Sequence, residues 1–294
     1  MLDKFRVLHK EKLAVKIITV LVIVFFSIAI MLPLIKLAEL CGVNILDNGG
    51  LDFEVTFGYI FFFFLFGICS VTIIWLAQKH LHKGKLFDLG FRSKVSKFLL
   101  IGFLFGAFKA VLVYVVYMCT SSHFVCTPVV PNNISALTYI GYYTYFLFGF
   151  ILWNSFIEEL GTRAYPIEKL KKHLNPHLIF TLMGILFTAG HFVVHEFELG
   201  YCLSLFISSY LLSLVYYYSN SIWLVIGVHN GMNWVGFSFA GSNWKLGALV
   251  KFEFYDVPSW IVSFSSTILG LLLLLLVVYA NKKGFFKRIA RVKN

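Results

Sequence analysis

Apolar runs long enough to cross a bilayer decide what this chain can become. Eight of them occur, at about 16–38, 56–78, 98–118, 136–157, 177–195, 201–219, 221–240 and 258–280. Each is close to the ~20 residues that a helix needs to span a hydrocarbon core. Within hydrocarbon every backbone N–H and C=O must be bonded inside the chain, so such segments become helices. The composition agrees: 59% of residues are hydrophobic and 13% charged, against ~45–50% and ~25% in soluble domains. The expected fold is therefore all-α: a polytopic membrane helix bundle of about eight transmembrane helices. No linker, repeat or low-complexity stretch divides it, so residues 1–294 read as a single integral-membrane domain. The first run is too long for a cleaved signal peptide and ends in Pro33-Leu34-Ile35-Lys36, without a small-residue cleavage site.

Basic residues set the expected orientation. Lys4, Arg6, Lys10 and Lys12 precede the first run; Lys79, Lys83, Lys85, Arg92, Lys94 and Lys97 follow the second. Lys169, Lys171 and Lys172 follow the fourth, and Lys282, Lys283, Lys287, Arg288, Arg291 and Lys293 follow the last. The intervening loops, 39–55, 119–135 and 196–200, are acidic or uncharged. An even number of spans with both termini cytoplasmic satisfies this alternation. The formal charge of +11 thus reads as topology and not as nucleic-acid binding. The compact form points to a bacterial plasma membrane. Cys41, Cys69, Cys119, Cys126 and Cys202 show no metal-binding spacing, and an extracytoplasmic bridge between Cys119 and Cys126 is allowed by the spacing without being demanded by it.

Polar side chains interrupt the later apolar runs. Glu158 and Glu159 stand side by side, with Arg163 one helical turn beyond Glu159. Residues four apart share a face, so Glu159 and Arg163 can pair while Glu158 faces elsewhere. A carboxylate at membrane depth is costly and is a functional candidate by default; desolvation would make Glu158 a proton acceptor. In the next run His191 lies one turn beyond Phe187 and could hold a water against Glu158. His195 reads as peripheral. In the seventh run His229 and Asn233 share a face, suited to an oxyanion hole, while Gly227 and Gly231 lie opposite. Those glycines, and the Gly102-x-x-x-Gly106 pair, permit close helix approach. Lys109, in mid-span, is expected to face the interior and pair with a carboxylate. His195-Glu196-Phe197-Glu198-Leu199 lacks the second histidine of a zincin motif, and no GxSxG elbow is present.

Glu158-Glu159-x-x-x-Arg163, Phe187-x-x-x-His191 and His229-x-x-x-Asn233 resemble, in order, the three motifs of the CPBP intramembrane proteases. This is the CAAX protease and bacteriocin-processing family, which includes the Ras-converting CAAX endopeptidases. The resemblance covers a catalytic core at about 136–240. It implies peptide-bond hydrolysis inside the membrane, by a glutamate-activated water and without a covalent intermediate. Glu158 would be the general base, sharing the water with His191. His229 and Asn233 would stabilise the oxyanion, and Glu159 and Arg163 would hold the geometry. No cofactor is expected; a zinc-dependent version, with His191, His229 and a glutamate as ligands, ranks behind metal-free catalysis. The expected partners are the lipid bilayer and a peptide or membrane-anchored protein substrate. A non-enzymatic bacteriocin-immunity or binding protein on the same scaffold is the alternative, and a proton-relaying transporter ranks below it. One conflict stands. The loop charges put Glu158 near the cytoplasmic end of the fourth span, whereas His191 lies ~21 Å along the fifth. The fourth helix is therefore expected to continue past Arg163 to Lys171 or Lys172.

Overall fold

A computed structural model describes residues 13–45, 54–91, 94–192, 196–240 and 243–291. His195, the basic residues of 1–12 and part of the loop 39–55 lie outside the described residues. Eight helical rods follow the order of the eight apolar runs. They are α1 (Leu13–Leu40), α2 (Phe57–Leu81), α3 (Val95–Thr120), α4 (Ala136–Leu170), α5 (Pro176–His191), α6 (Leu199–Ser219), α7 (Ile222–Ala240) and α8 (Ser259–Lys282). A short helix, α9 (Phe285–Arg291), follows. Among the described residues six rods, α1 to α4, α6 and α8, are long and apolar enough to cross a membrane. The other two differ for separate reasons: α5 is short, at 16 residues, and α7 carries His229, Asn230 and Asn233 in its middle.

Side-chain caps fix where several rods begin. Thr56 accepts from the Tyr59 N–H at the head of α2, and Ser135 from the Thr138 N–H at the head of α4. Asn175 accepts from His177 N–H ahead of Pro176, which occupies the first turn of α5, where its missing N–H costs nothing. The uncharged turn Ser219-Asn220-Ser221 does join two helices. Asn220 adopts the left-handed conformation (φ 49°) that stops α6, and Ser221 Oγ accepts from Leu224 N–H to start α7.

The rods cluster their basic ends. Lys16 in α1 bonds His173 in the α4–α5 turn, His82 bonds Tyr165, and Ile222 N–H donates to Gly90 C=O. Tyr218 at the end of α6 meets Phe286 of α9. The start of α1 and the end of α8 therefore lie at one end of the bundle, beside Lys169, Lys171 and Lys172. At the other end two strands, β1 (His123–Pro128) and β2 (Val250–Tyr255), pair antiparallel with His123 opposite Tyr255. Both segments fall between apolar runs, where no strand is expected. Their alternation of Phe252 and Phe254 with Lys251 and Glu253 is the period of a strand. Cys119 and Cys126 are free thiols: Cys126 sits in β1 opposite Phe252, so the bridge that the spacing allowed does not form.

The two glycine pairs pack on each other. A Cβ on Gly106 would lie 1.9 Å from Val228 O, and one on Gly231 would lie 2.1 Å from Phe103 O. Gly102 and Gly227 approach so that a Cβ on either meets the other's Cα at 3.0 Å. Helices α3 and α7 thus run parallel, backbone against backbone, along a seam no larger side chain could occupy.

Helix α4 removes the depth conflict. It extends from Ala136 to Leu170, so Glu158 is not at its end but twelve residues before it. At 1.5 Å per residue Glu158 stands ~18 Å above the α4–α5 turn, and His191 ~22 Å above the start of α5. The two residues lie at similar depth and line one cavity. Two stretches of α4, Tyr145–Leu152 and Leu160–Ala164, are wound as π-helix and bracket the segment Trp153–Glu159. Such wide turns concentrate at functional sites.

Candidate active site

A cavity of about 590 Å³ opens within the bundle, its wall mainly apolar and aromatic. Glu158 from α4, His191 from α5, and His229 and Asn233 from α7 all reach it. Glu159 and Arg163 do not line it. They lie behind, each fully buried.

The rear layer is a connected set of charges. Arg163 Nη1 donates to Glu159 Oε1 at 3.2 Å, the i,i+4 pair the spacing anticipated. The same Nη1 donates to Thr162 Oγ1 at 2.6 Å, and Nη2 donates to Ser209 Oγ of α6 at 2.8 Å. The guanidinium lies over the Phe187 ring, 4.2 Å from its centroid, a cation–π contact that helps hold a desolvated cation. Glu159 Oε1 also receives His229 Nδ1 at 2.7 Å. A carboxylate only accepts, so Nδ1 carries a proton and the ring's other nitrogen, Nε2, is left for the cavity. That Nε2 stands 3.7 Å from Glu158 Oε2, too far for a hydrogen bond but near enough for both to act on one small group.

The front layer is less tied. Asn154, one turn before Glu158, donates to Glu158 Oε1 at 2.8 Å. Glu158 Oε2 has no hydrogen-bond partner among the described residues. His191 Nδ1 lies 2.8 Å from Phe187 C=O. A carbonyl can only accept, so this bond places the proton on Nδ1 and turns Nε2 outward as an acceptor. His191 makes no direct bond to Glu158; the histidine nearest Glu158 is His229. Asn230, with its amide nitrogen turned to α4, donates to Ser155 Oγ at 2.7 Å and to Ile151 and Ile226 carbonyls at 3.3 Å. It fastens α7 to α4 beside His229.

The sequence singles out six residues here, and the fold gathers four on the cavity and two directly behind. It assigns nothing to Asn154, although the i,i+4 spacing that links Glu159 to Arg163 also links Asn154 to Glu158. It gives no role to Phe187, which carries both the guanidinium and the His191 anchor. Ser209 was not legible, because nothing local ties α6 to Arg163. Lys109 does face the interior, but its partner is not a carboxylate: Nζ donates to Ser208 Oγ at 2.7 Å.

As to metal, among the described residues no three His, Cys, Asp or Glu side chains are grouped as ligands. His229 Nδ1 and His191 Nδ1 are both bonded to protein acceptors, which leaves each ring's Nε2, together with Glu158 Oε2, as the atoms free to act in the cavity.

Residues 139–235 match a family model described as Rce1-like, type II CAAX prenyl endopeptidase Rce1-like. The matched stretch runs from α4 to α7 and carries all three motifs. No curated protein and no solved structure matches the chain.

Proposed function

We propose that this Rce1-like, multi-pass membrane protein is a glutamic endopeptidase that cleaves its substrate within the bilayer. The observation that carries the reading is the convergence of Glu158, His191, His229 and Asn233, from three helices, on one cavity inside the bundle. Glu158 Oε2 takes a proton from water while His191 Nε2 orients the same water as an acceptor. The resulting hydroxide attacks the scissile carbonyl. The carbonyl oxygen becomes an oxyanion, met by His229 Nε2–H and the Asn233 amide. Glu158 then delivers its proton to the departing amine as the C–N bond breaks. Water has been added across the bond and no covalent enzyme intermediate forms.

The rear layer supports this assignment through its charge. His229 serves as an oxyanion donor only as an imidazolium, with protons on both nitrogens. Glu159, hydrogen-bonded to Nδ1, stabilises that form, and Arg163 balances Glu159. The charges of Glu158, Glu159, Arg163 and His229 then sum to zero, which lowers the cost of burying these four groups. The basic end of the bundle, with the start of α1 and the end of α8, is assigned to the cytoplasm by the positive-inside rule.

The test is Glu158→Gln in the full chain. It should insert and unfold at the wild-type temperature yet cleave nothing, and retained cleavage would defeat the proposal. Chelator separates the zinc version: metal-free catalysis keeps its full rate in excess chelator, and a loss restored by zinc alone would overturn that part. If Glu158→Gln and His191→Ala both leave a cell's peptide-resistance phenotype intact, the non-enzymatic alternative replaces the protease.

A further inference from the structure

Lys109 is a cation that the catalytic scheme above does not use. It lies in mid-helix in α3, with 4% of its surface exposed, and lines the same cavity as Glu158. An ammonium carries three donors, and the partner found for it is one neutral hydroxyl, Ser208 Oγ. Among the described residues the ion pairs do not include it. A buried cation without a counter-charge costs several kcal/mol. Glu158 lines the same cavity, yet the two are left apart.

The glycine seam sets the level of Lys109. Gly106 lies against Val228, the residue before His229, and the two helices run parallel. Lys109 is three residues beyond Gly106, ~4.5 Å further along the axis. That level falls between His229 and Asn233. Lys109 therefore branches from α3 at the height of the oxyanion donors, and its ammonium lies beside Ser208, which also lines the cavity.

We infer that Lys109 and Ser208 form a specificity subsite that binds a carboxylate of the substrate, fixing where along the peptide Glu158 cuts. The assignment rests on the protease reading. Inside a low-dielectric cavity an incoming carboxylate supplies the charge Lys109 lacks, so an uncharged peptide end is rejected because it leaves the ammonium uncompensated. The carboxylate is either the peptide's own C-terminus or an Asp or Glu side chain.

The experiment uses the full chain in lipid nanodiscs and a proteome-derived peptide library in two forms, with free C-termini and with the same C-termini amidated. Cleavage products are read by mass spectrometry for the wild type, Lys109→Met and Lys109→Arg. Methionine keeps the stem and deletes the buried charge, so the variant should unfold no earlier than wild type. The wild type should favour carboxylate-bearing peptides by ~10-fold or more, the ratio a charge-assisted hydrogen bond corresponds to. The ratio should fall to one in Lys109→Met while cleavage of amidated peptides persists, and Lys109→Arg should retain a preference. Cuts at a constant distance from a free C-terminus identify that carboxylate as the one bound; cuts in the amidated library at a constant distance from Asp or Glu identify a side chain. Equal wild-type cleavage of both forms, irrespective of acidic residues, overturns the subsite and leaves the protease standing. A ratio unchanged in Lys109→Met does the same. If the wild type cleaves no peptide of either form, the protease reading fails and the subsite with it.

Discussion

Separating the Glu159–Arg163 pair should cost more than removing it. Both side chains are fully buried, and Glu159 Oε2 and Arg163 Nε lack partners even in the intact network. Replacing one member by an apolar residue strands the other charge, at a cost of about 3–5 kcal/mol. For Arg163→Met the bonds to Thr162 and Ser209 are lost as well. In a chain of this size about 1 kcal/mol moves the unfolding temperature by roughly 2–4 °C, so either single variant should unfold some 6–20 °C early. The double variant Glu159→Leu with Arg163→Met strands neither charge of the pair and discards two unsatisfied atoms, leaving the His229 Nδ1–H as the one donor that loses its acceptor; its midpoint should lie well above that of either single variant. Its activity should not return, because His229 Nδ1 has lost its acceptor at 2.7 Å. Loss of one oxyanion donor costs about 10²–10³ in kcat, and that is the expected fall. Thermal unfolding of detergent-solubilised protein and cleavage of a substrate drawn from the peptide library measure the two effects separately. A double variant as unstable as the singles would refute the compensation argument. A stable and fully active double variant would refute the role given to Glu159.

Other outcomes follow from single contacts. Gly106→Ala places a methyl group 1.9 Å from a backbone oxygen that cannot yield, so it should force α3 and α7 apart and lose folded yield. Gly236→Ala, on α7 but with open space around it, should be silent in the same size-exclusion assay; equal behaviour of the two would undo the seam. Asn154→Ala removes the hydrogen bond that fixes the Glu158 carboxylate. It should lower kcat/KM by ~10–150-fold, the range for bonds to charged groups, with little change in unfolding temperature; a wild-type rate would show that Glu158 needs no such brace. Cys119 and Cys126 are exposed and unbridged, so a water-soluble maleimide should label both without reductant, and labelling that depends on reductant would show a disulfide after all.

What was legible in the sequence divides by distance along the chain. Glu159 with Arg163, and His229 with Asn233, are one turn apart, so helical periodicity alone put each pair on one face. The existence of α1 to α8 followed from hydrophobic length. The mutual packing of the two glycine pairs did not, because Gly102 and Gly227 are 125 positions apart and each motif permits many partners. Lys109 shows the same limit: its depth in α3 was readable, but Ser208 lies on α6 and its choice is a tertiary fact. The strands β1 and β2 are six residues each and pair across the four intervening helices α4 to α7, so the alternation in β2 was present without a visible partner. The π-wound stretches of α4 leave no pattern in residue type. The approach of His229 Nε2 to 3.7 Å from Glu158 Oε2 joins α7 to α4, a contact that no local spacing displays.

The α3–α7 seam has a mechanical consequence. With main chains in contact and no flexible side chains between them, the two helices form a stiff double beam. Lys109, His229 and Asn233 ride on that beam and keep their mutual spacing under load. Any widening that admits a polypeptide must then come from rods joined by softer, side-chain contacts, which makes the beam the ruler against which a threaded strand is measured.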